Sequence, residues 1–100
     1  MNTTLLPRAT LDAWLAAHGH WRLDDTGLAL TRRFAFADFT HAFAFMAGVA
    51  LVAERLGHHP EWSNVYDRVD VRLTTHDAGG LTASDLMLAE LMEPYAGAAQ

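Results

Sequence analysis

The chain has 100 residues, 51% of them hydrophobic and 19% charged, with a formal net charge of −5 when histidine is neutral. That composition belongs to one globular domain spanning residues 1–100, and its acidic balance offers no basic face for phosphates, so direct nucleic-acid binding is not expected. Cysteine is absent, which excludes a disulfide framework, a thiolate nucleophile and a Cys-rich zinc site.

The first residues, Met1 to Arg8, lack a basic leader followed by an apolar run, so a soluble, cytoplasmic protein is the expectation. From Thr10 the pattern is helical: Leu11, Trp14, Leu15 and His18 fall at i, i+3, i+4 and i+7. Thr10 can cap this helix and Gly19 can stop it, which makes His18 and His20 solvated helix-end residues. Trp21-Arg22-Leu23 reads as a short strand and Asp24-Asp25-Thr26-Gly27 as a turn. The next strand alternates, with Leu28, Leu30, Phe34 and Phe36 on one side and Ala29, Thr31, Arg33 and Ala35 on the other. Arg32 interrupts the apolar side, as if the strand left the core there.

A long helix is expected over residues 38–56, capped by Asp38 and ended by Gly57, with nearly 30 Å of length for roughly nineteen residues. One face carries Phe39, Ala42, Phe43, Met46, Val49 or Ala50, Ala53 and Leu56. A second row, Phe45, Gly48 and Val52, is apolar as well. A helix apolar almost all round must be covered on two sides, and so short a chain has little left for the second. This predicts a homodimer or homotetramer assembled through the helix 38–56, in which Phe45→Glu or Val52→Glu releases monomer, or unfolds the protein if those faces are core. The uninterrupted apolar run, Ala42 to Ala53, is only 12 residues, which favours a buried helix over a membrane span.

Trp62–Tyr66 and Val69–Thr75 form a hairpin turning at Asp67-Arg68, with Val69, Val71 and Leu73 opposite Asp70, Arg72 and Thr74. Gly79-Gly80 is a tight turn, and Thr82-Ala83-Ser84-Asp85 has the spacing of a capping box opening a last helix. Leu88, Leu91, Met92 and Tyr95 are its stripe, Pro94 and Gly97 lie near its end, and Ala96 to Gln100 reads as a frayed tail. The order α-β-β-α-β-β-α fits an α+β class: a four-stranded antiparallel sheet with three helices packed on one face.

Three of the six histidines, His58, His59 and His76, stand at two turns. As structural residues they would satisfy helix ends or the core. As zinc ligands they would need to converge, yet His59 precedes Pro60 and is pushed to extended backbone, so adjacent side chains diverge. Among His58, His59 and His76 no HxH, HxxxH or HExxH spacing is present, so no metal is expected. As general acids and bases they need no convergence and could serve different atoms of one substrate. Glu54, one turn before His58, could orient a histidine. Asp85 serves either the capping box or the site, and Trp62 offers either a flat surface for a ring or a core side chain.

Several stretches then combine: Phe34-x-Phe36-x-x-Phe39, Ala42-Phe43-x-Phe45-Met46, Ala53-Glu54, His58-His59-Pro60-Glu61-Trp62-x-Asn64-Val65-Tyr66 and Thr75-His76-x-x-x-Gly80-Leu81-Thr82-x-x-Asp85. From about Trp21 to Tyr95 the chain resembles the pterin-4a-carbinolamine dehydratase family. The resemblance implies dehydration of 4a-hydroxytetrahydropterin to quinonoid dihydropterin, which recycles the pterin of aromatic amino acid hydroxylases. It implies no metal or organic cofactor, with such a hydroxylase as a partner in the same pathway. The pterin would lie between His58-His59-Pro60 and Thr75-His76-Asp77-Ala78, with His58, His59 and His76 catalytic and Glu54, Trp62 and Asp85 also binding it. Animal members of the family are also described as dimerisation cofactors of a homeodomain transcription factor, so the alternative is a non-catalytic binding role.

Overall fold

The computed structural model describes residues 2–99. Helix α1 (Arg8–Ala17) follows Pro7, whose carbonyl accepts the Leu11 amide at 3.1 Å. Proline's fixed φ and missing N–H suit the entry to a helix, so α1 opens before Thr10, which lies inside it. It stops at Ala17 rather than at Gly19. His18 is not merely solvated: its ring stacks on Trp14 with centroids 4.1 Å apart, and its Nδ1 lies 2.8 Å from the Trp14 carbonyl.

Strand β1 (Arg22–Leu23) leads through the expected turn into β2 (Leu30–Ala35). Asp24 closes the turn by accepting from the Thr26 hydroxyl at 2.6 Å and the Thr26 amide at 3.1 Å. Leu30, Phe34 and Phe36 are buried as their alternation requires, but Leu28 is 49% exposed and Ala29 is 0% exposed, the reverse of the expectation. Strand alternation starts only at Leu30, because residues 28 and 29 still belong to the turn, where the Asp24 amide donates to the Ala29 carbonyl. Nor does β2 leave the core at Arg32. That side chain lies 4.0 Å over the Phe34 ring and pairs with Glu93, roofing the aromatic cluster with its guanidinium.

Helix α2 (Phe39–Leu56) keeps the expected ends. Asp38 accepts the His41 amide at 2.9 Å, and Gly57 takes the left-handed φ of 65° that stops the helix. Its buried face is Ala42, Phe45, Val49 and Ala53, with Met46 and Val52 half-buried beside it. Phe39, Phe43, Leu51 and Leu56 are exposed. The core thus takes Ala42, Val49 and Ala53 from the first row, whose Phe39, Phe43 and Leu56 face outward, and Phe45 from the second, so Phe45 is not a subunit contact. Burying a side chain of that size stabilises by about 1.5–3 kcal/mol.

Strands β3 (Glu61–Val65) and β4 (Arg68–Leu73) turn at Tyr66-Asp67, one residue earlier than expected. The Asn64 side-chain amide donates to the Tyr66 and Arg68 carbonyls at 3.2 and 2.9 Å, leaving Arg68 paired with Val65 and Tyr66 at a φ of 50°. A single 3-10 turn, His76–Ala78, precedes helix α3 (Ala83–Ala99). Leu88, Ala89, Met92 and Ala96 are buried on α3, whereas the expected Leu91 is exposed. The helix runs past Pro94 and Gly97 with Ala96 in the core, so no frayed tail begins there. Gln100 lies outside the described residues.

The sheet order is β1-β2-β4-β3, all antiparallel, with Phe34 facing Val69 and Leu30 facing Leu73 across the central pair. One sheet face, Leu30, Phe34, Val69, Val71 and Leu73, meets the buried faces of α2 and α3 and Leu11 of α1 in one apolar cluster. Phe34 and Phe45 anchor it with ring centroids 4.5 Å apart. The two long helices pack tightly at Gly48, where an added Cβ would stand 2.4 Å from the Tyr95 ring. This is the expected α+β layer, four antiparallel strands with three helices on one face. By length and composition α2 could cross a membrane, but its four buried residues close against the sheet and α3 as a core helix does.

Candidate active site

Two chain reversals build the site. At the end of α2, Gly57 donates to the Ala53 and Glu54 carbonyls, and the His58 amide returns to Ala53 at 3.1 Å. A residue with a Cβ resists that left-handed φ, so the turn that delivers His58 depends on glycine. Pro60 then holds His59 extended, and the adjacent imidazoles diverge as expected. His58 Nε2 lies 2.6 Å from Asp85 Oδ1, while His59 Nε2 lies 2.8 Å from Glu54 Oε1. Glu54 thus partners His59, and the carboxylate that orients His58 is Asp85.

The second reversal follows β4. Thr75 and Gly80 form an isolated antiparallel bridge, with the Thr75 amide donating to the Gly80 carbonyl at 2.9 Å. The 3-10 turn between them ends on Gly79 at a φ of 71° and exposes His76. His76 Nε2 lies 3.1 Å from Glu61 Oε2 at the start of β3. Arg72 holds the same carboxylate at 3.1 Å and Asp24 at 3.1 Å. Burial opposes the Arg72 charge, but its hydrogen bonds and charge contacts with Asp24 and Glu61 outweigh that and hold the guanidinium above its ordinary pKa.

Asp85 joins the two reversals from behind. Its side chain is 0% exposed and that of His58 is 14% exposed. Asp85 Oδ2 accepts the Thr75 hydroxyl at 2.7 Å and the Thr82 amide at 2.9 Å. The second contact is the return bond of the expected capping box, so Asp85 caps α3 and serves the histidine at once.

A cavity of about 410 Å³ opens between the reversals, lined by His58, His59, Pro60, Thr75, His76 and Asp77 among the expected residues. Thr75 turns its hydroxyl inward to Asp85, and its backbone amide and carbonyl are both used within the turn. Glu54 and Asp85 stand behind the wall through their histidines. Ala78 is half-buried on the 3-10 turn, and Trp62 packs against the core; neither lines the cavity. Sequence reasoning missed Asn2, Glu61 and Ser84 as wall residues. Glu61 was detectable as the carboxylate between Pro60 and Trp62. Asn2 had no local signal, because its segment is brought in by the Leu6 amide bonding Leu81 at 2.9 Å.

A larger concavity, about 700 Å³, lies over the open sheet face. Of its four guanidiniums, Arg32, Arg33 and Arg72 are already paired with Glu93, Asp70 and Glu61, and it lacks the grouped imidazoles of the smaller cavity. Among the described residues no three His, Asp or Glu side chains are placed to hold a metal ion. Each cavity histidine engages a different carboxylate.

The Pterin 4 alpha carbinolamine dehydratase family matches residues 4–95 of the chain. A relative from Rhizobium leguminosarum bv. trifolii, provisionally named a pterin-4-alpha-carbinolamine dehydratase, is 51% identical over 96% of this chain and 95% of its own. One from Novosphingobium aromaticivorans with the same provisional name is 53% identical over 95% of this chain and 99% of its own. Among solved structures, a transcriptional coactivator/pterin dehydratase from Brucella melitensis superposes with a TM-score of 0.90 at 46% identity, covering 94% of this chain and all (100%) of that one. A pterin dehydratase-like protein described as a RuBisCO assembly factor in the alpha-carboxysome gives a TM-score of 0.69 at 26% identity, over 80% of this chain and 93% of that one. With that match and identities of about half over nearly the full length, the chain belongs to the pterin-4a-carbinolamine dehydratase family.

Proposed function

We propose that this chain dehydrates 4a-hydroxytetrahydropterin to quinonoid dihydropterin by histidine acid–base catalysis, and so recycles the pterin used by aromatic amino acid hydroxylases in the cytoplasm. The observation that carries the reading is the His58–Asp85 pair, an imidazole held at 2.6 Å by a fully buried carboxylate on the wall of a cavity shared with His59 and His76. Dehydration needs a proton delivered to the leaving 4a-hydroxyl and another removed from N5, as the C4a–O bond breaks and the C4a=N5 bond forms. Each transfer by a well-placed side chain contributes on the order of 10²–10⁴-fold. The pairing of His59 with Glu54 and of His76 with Glu61 supports the same reading, since each imidazole has a carboxylate to share its proton with.

The test is quinonoid dihydropterin formation from synthetic carbinolamine by the purified chain, with and without chelator. Turnover should survive exhaustive chelation and fall roughly 100-fold or more in Asp85→Asn. Absence of turnover, or loss under chelator restored by zinc, overturns the reading. A second reading has its own support. The exposed stripe Phe39, Phe43 and Leu51 could dock a protein, and the two solved relatives are described as a coactivator and an assembly factor. A chain that binds a protein partner but turns over no carbinolamine would favour that role.

A further inference from the structure

The direction of the hydrogen bonds behind His58 follows from which atoms can only donate. Ser84 N donates to Thr82 Oγ1 at 3.3 Å, and Thr82 N donates to Asp85 Oδ2 at 2.9 Å. Between these fixed donors lie two hydroxyls, Thr75 Oγ1 and Thr82 Oγ1, 2.9 Å apart, with Thr75 Oγ1 also 2.7 Å from Asp85 Oδ2. If Thr82 donates to Thr75 and Thr75 donates to the carboxylate, every hydrogen in the group has an acceptor. If Thr75 donated to Thr82 instead, the Thr82 hydrogen would have no acceptor among the described residues, in a side chain 0% exposed. Asp85 would also need a proton to meet the Thr75 oxygen. An unpaired buried donor disfavours that arrangement by roughly tenfold or more.

We propose that the buried Thr75–Thr82 hydroxyl pair is a positioning device that fixes which nitrogen of His58 works. By donating to Asp85 Oδ2 together with the Thr82 amide, it leaves Oδ1 as the acceptor that faces His58. His58 must then present Nε2–H to Oδ1, and Nδ1 is the atom that exchanges a proton with a substrate in the cavity. His59 and His76 are not fixed in this way. Their carboxylate partners are 81% and 44% exposed, and the one facing His76 is shared with Arg72. The remaining ionisable groups on the cavity wall are His59, Glu61, His76 and Asp77, and none is hydrogen-bonded to His58 or Asp85. The inference rests on the dehydratase reading for its substrate, but the tautomer does not.

The experiment is nitrogen-15 NMR of histidine-labelled full chain without substrate, beside turnover against pH, for wild type, Thr75→Val and Thr75→Ser. In wild type His58 should be the Nε2–H tautomer in its neutral form, and its first added proton should go to Nδ1. Thr75→Val removes a donor to Asp85 and with it the constraint on the His58 tautomer, so the His58 spectrum and the kcat profile should both change. Its kcat should fall roughly 10- to 100-fold with KM little changed, and Thr75→Ser should restore both the tautomer and the profile. An Nδ1–H tautomer in wild type overturns the inference even if Thr75→Val does not fold. So does a folded Thr75→Val with an unmoved spectrum and profile. If wild type shows the Nε2–H tautomer but no turnover, the dehydratase reading falls and the positioning device stands.

Discussion

The three cavity histidines differ in how firmly they are held. His58 is pinned by a buried carboxylate, whereas His59 and His76 lean on surface carboxylates with 62% and 80% of their own side chains exposed. Adjacent backbone positions send His58 and His59 in different directions, so one ring cannot substitute for the other. We expect His58 and His76 to approach the pterin from opposite faces, each protonating a 4a-hydroxyl on its own side, while His59 positions the ring and accepts the N5 proton. The carbinolamine carbon is stereogenic, which makes the division measurable. With resolved 4a-R and 4a-S substrates, His58→Ala and His76→Ala should each slow one stereoisomer by at least about tenfold more than the other. His59→Ala should raise KM for both. Equal losses for both stereoisomers in His58→Ala and His76→Ala reject the two-faced division and leave the dehydratase reading intact.

At the scale of elements, α2 shows how end signals and face signals carry different information. Asp38 caps it through the His41 amide, with the His41 ring at 2.6 Å. The backbone bond from His41, followed by the contact with its ring, holds the Asp38 carboxyl below its ordinary value. A depressed folded pKa contributes stability that is present above the unfolded carboxylate value, near 3.9, and is lost as pH falls through the folded value. Asp38→Ala should therefore lower Tm at pH 7 by about 4–8 °C. The gap from wild type should close as pH drops below about 4. A gap that persists undiminished at pH 2 would show that the carboxylate charge is not what the cap contributes.

For the whole molecule, the helical side of α2 that the sheet does not cover is apolar. Phe43 and Leu51 are 57% and 68% exposed, and Phe39 lies against Phe43 with ring centroids 5.9 Å apart. Such a contiguous apolar stripe is the kind of patch that marks an interface. We expect the chain to run as a dimer or tetramer, and Phe43→Glu or Leu51→Glu to yield a folded monomer by light scattering and circular dichroism. Phe45→Glu should instead unfold it, because Phe45 is enclosed by Phe34 and Phe36. A wild-type monomer at micromolar concentration refutes assembly through this helix.

Local chemistry was enough to read the order of elements, both ends of α2, the inward side of β4 and the divergence of His58 from His59. Caps, proline restrictions and period-2 alternation act within a few residues, so the sequence alone determines them. The turn positions at Asn64 and Ala29 escaped because one side-chain or backbone hydrogen bond decides the register there. Which residues of α2 would be buried was not legible, since both rows are apolar and only packing against the sheet and α3, with Tyr95 against Gly48, chooses between them. The partner of His58 was equally out of reach: Asp85 lies 27 residues away, and its capping spacing was complete without a histidine. That pairing required α3 to dock beside the end of α2, because a buried carboxylate takes its partners from whatever the packing brings within about 3 Å.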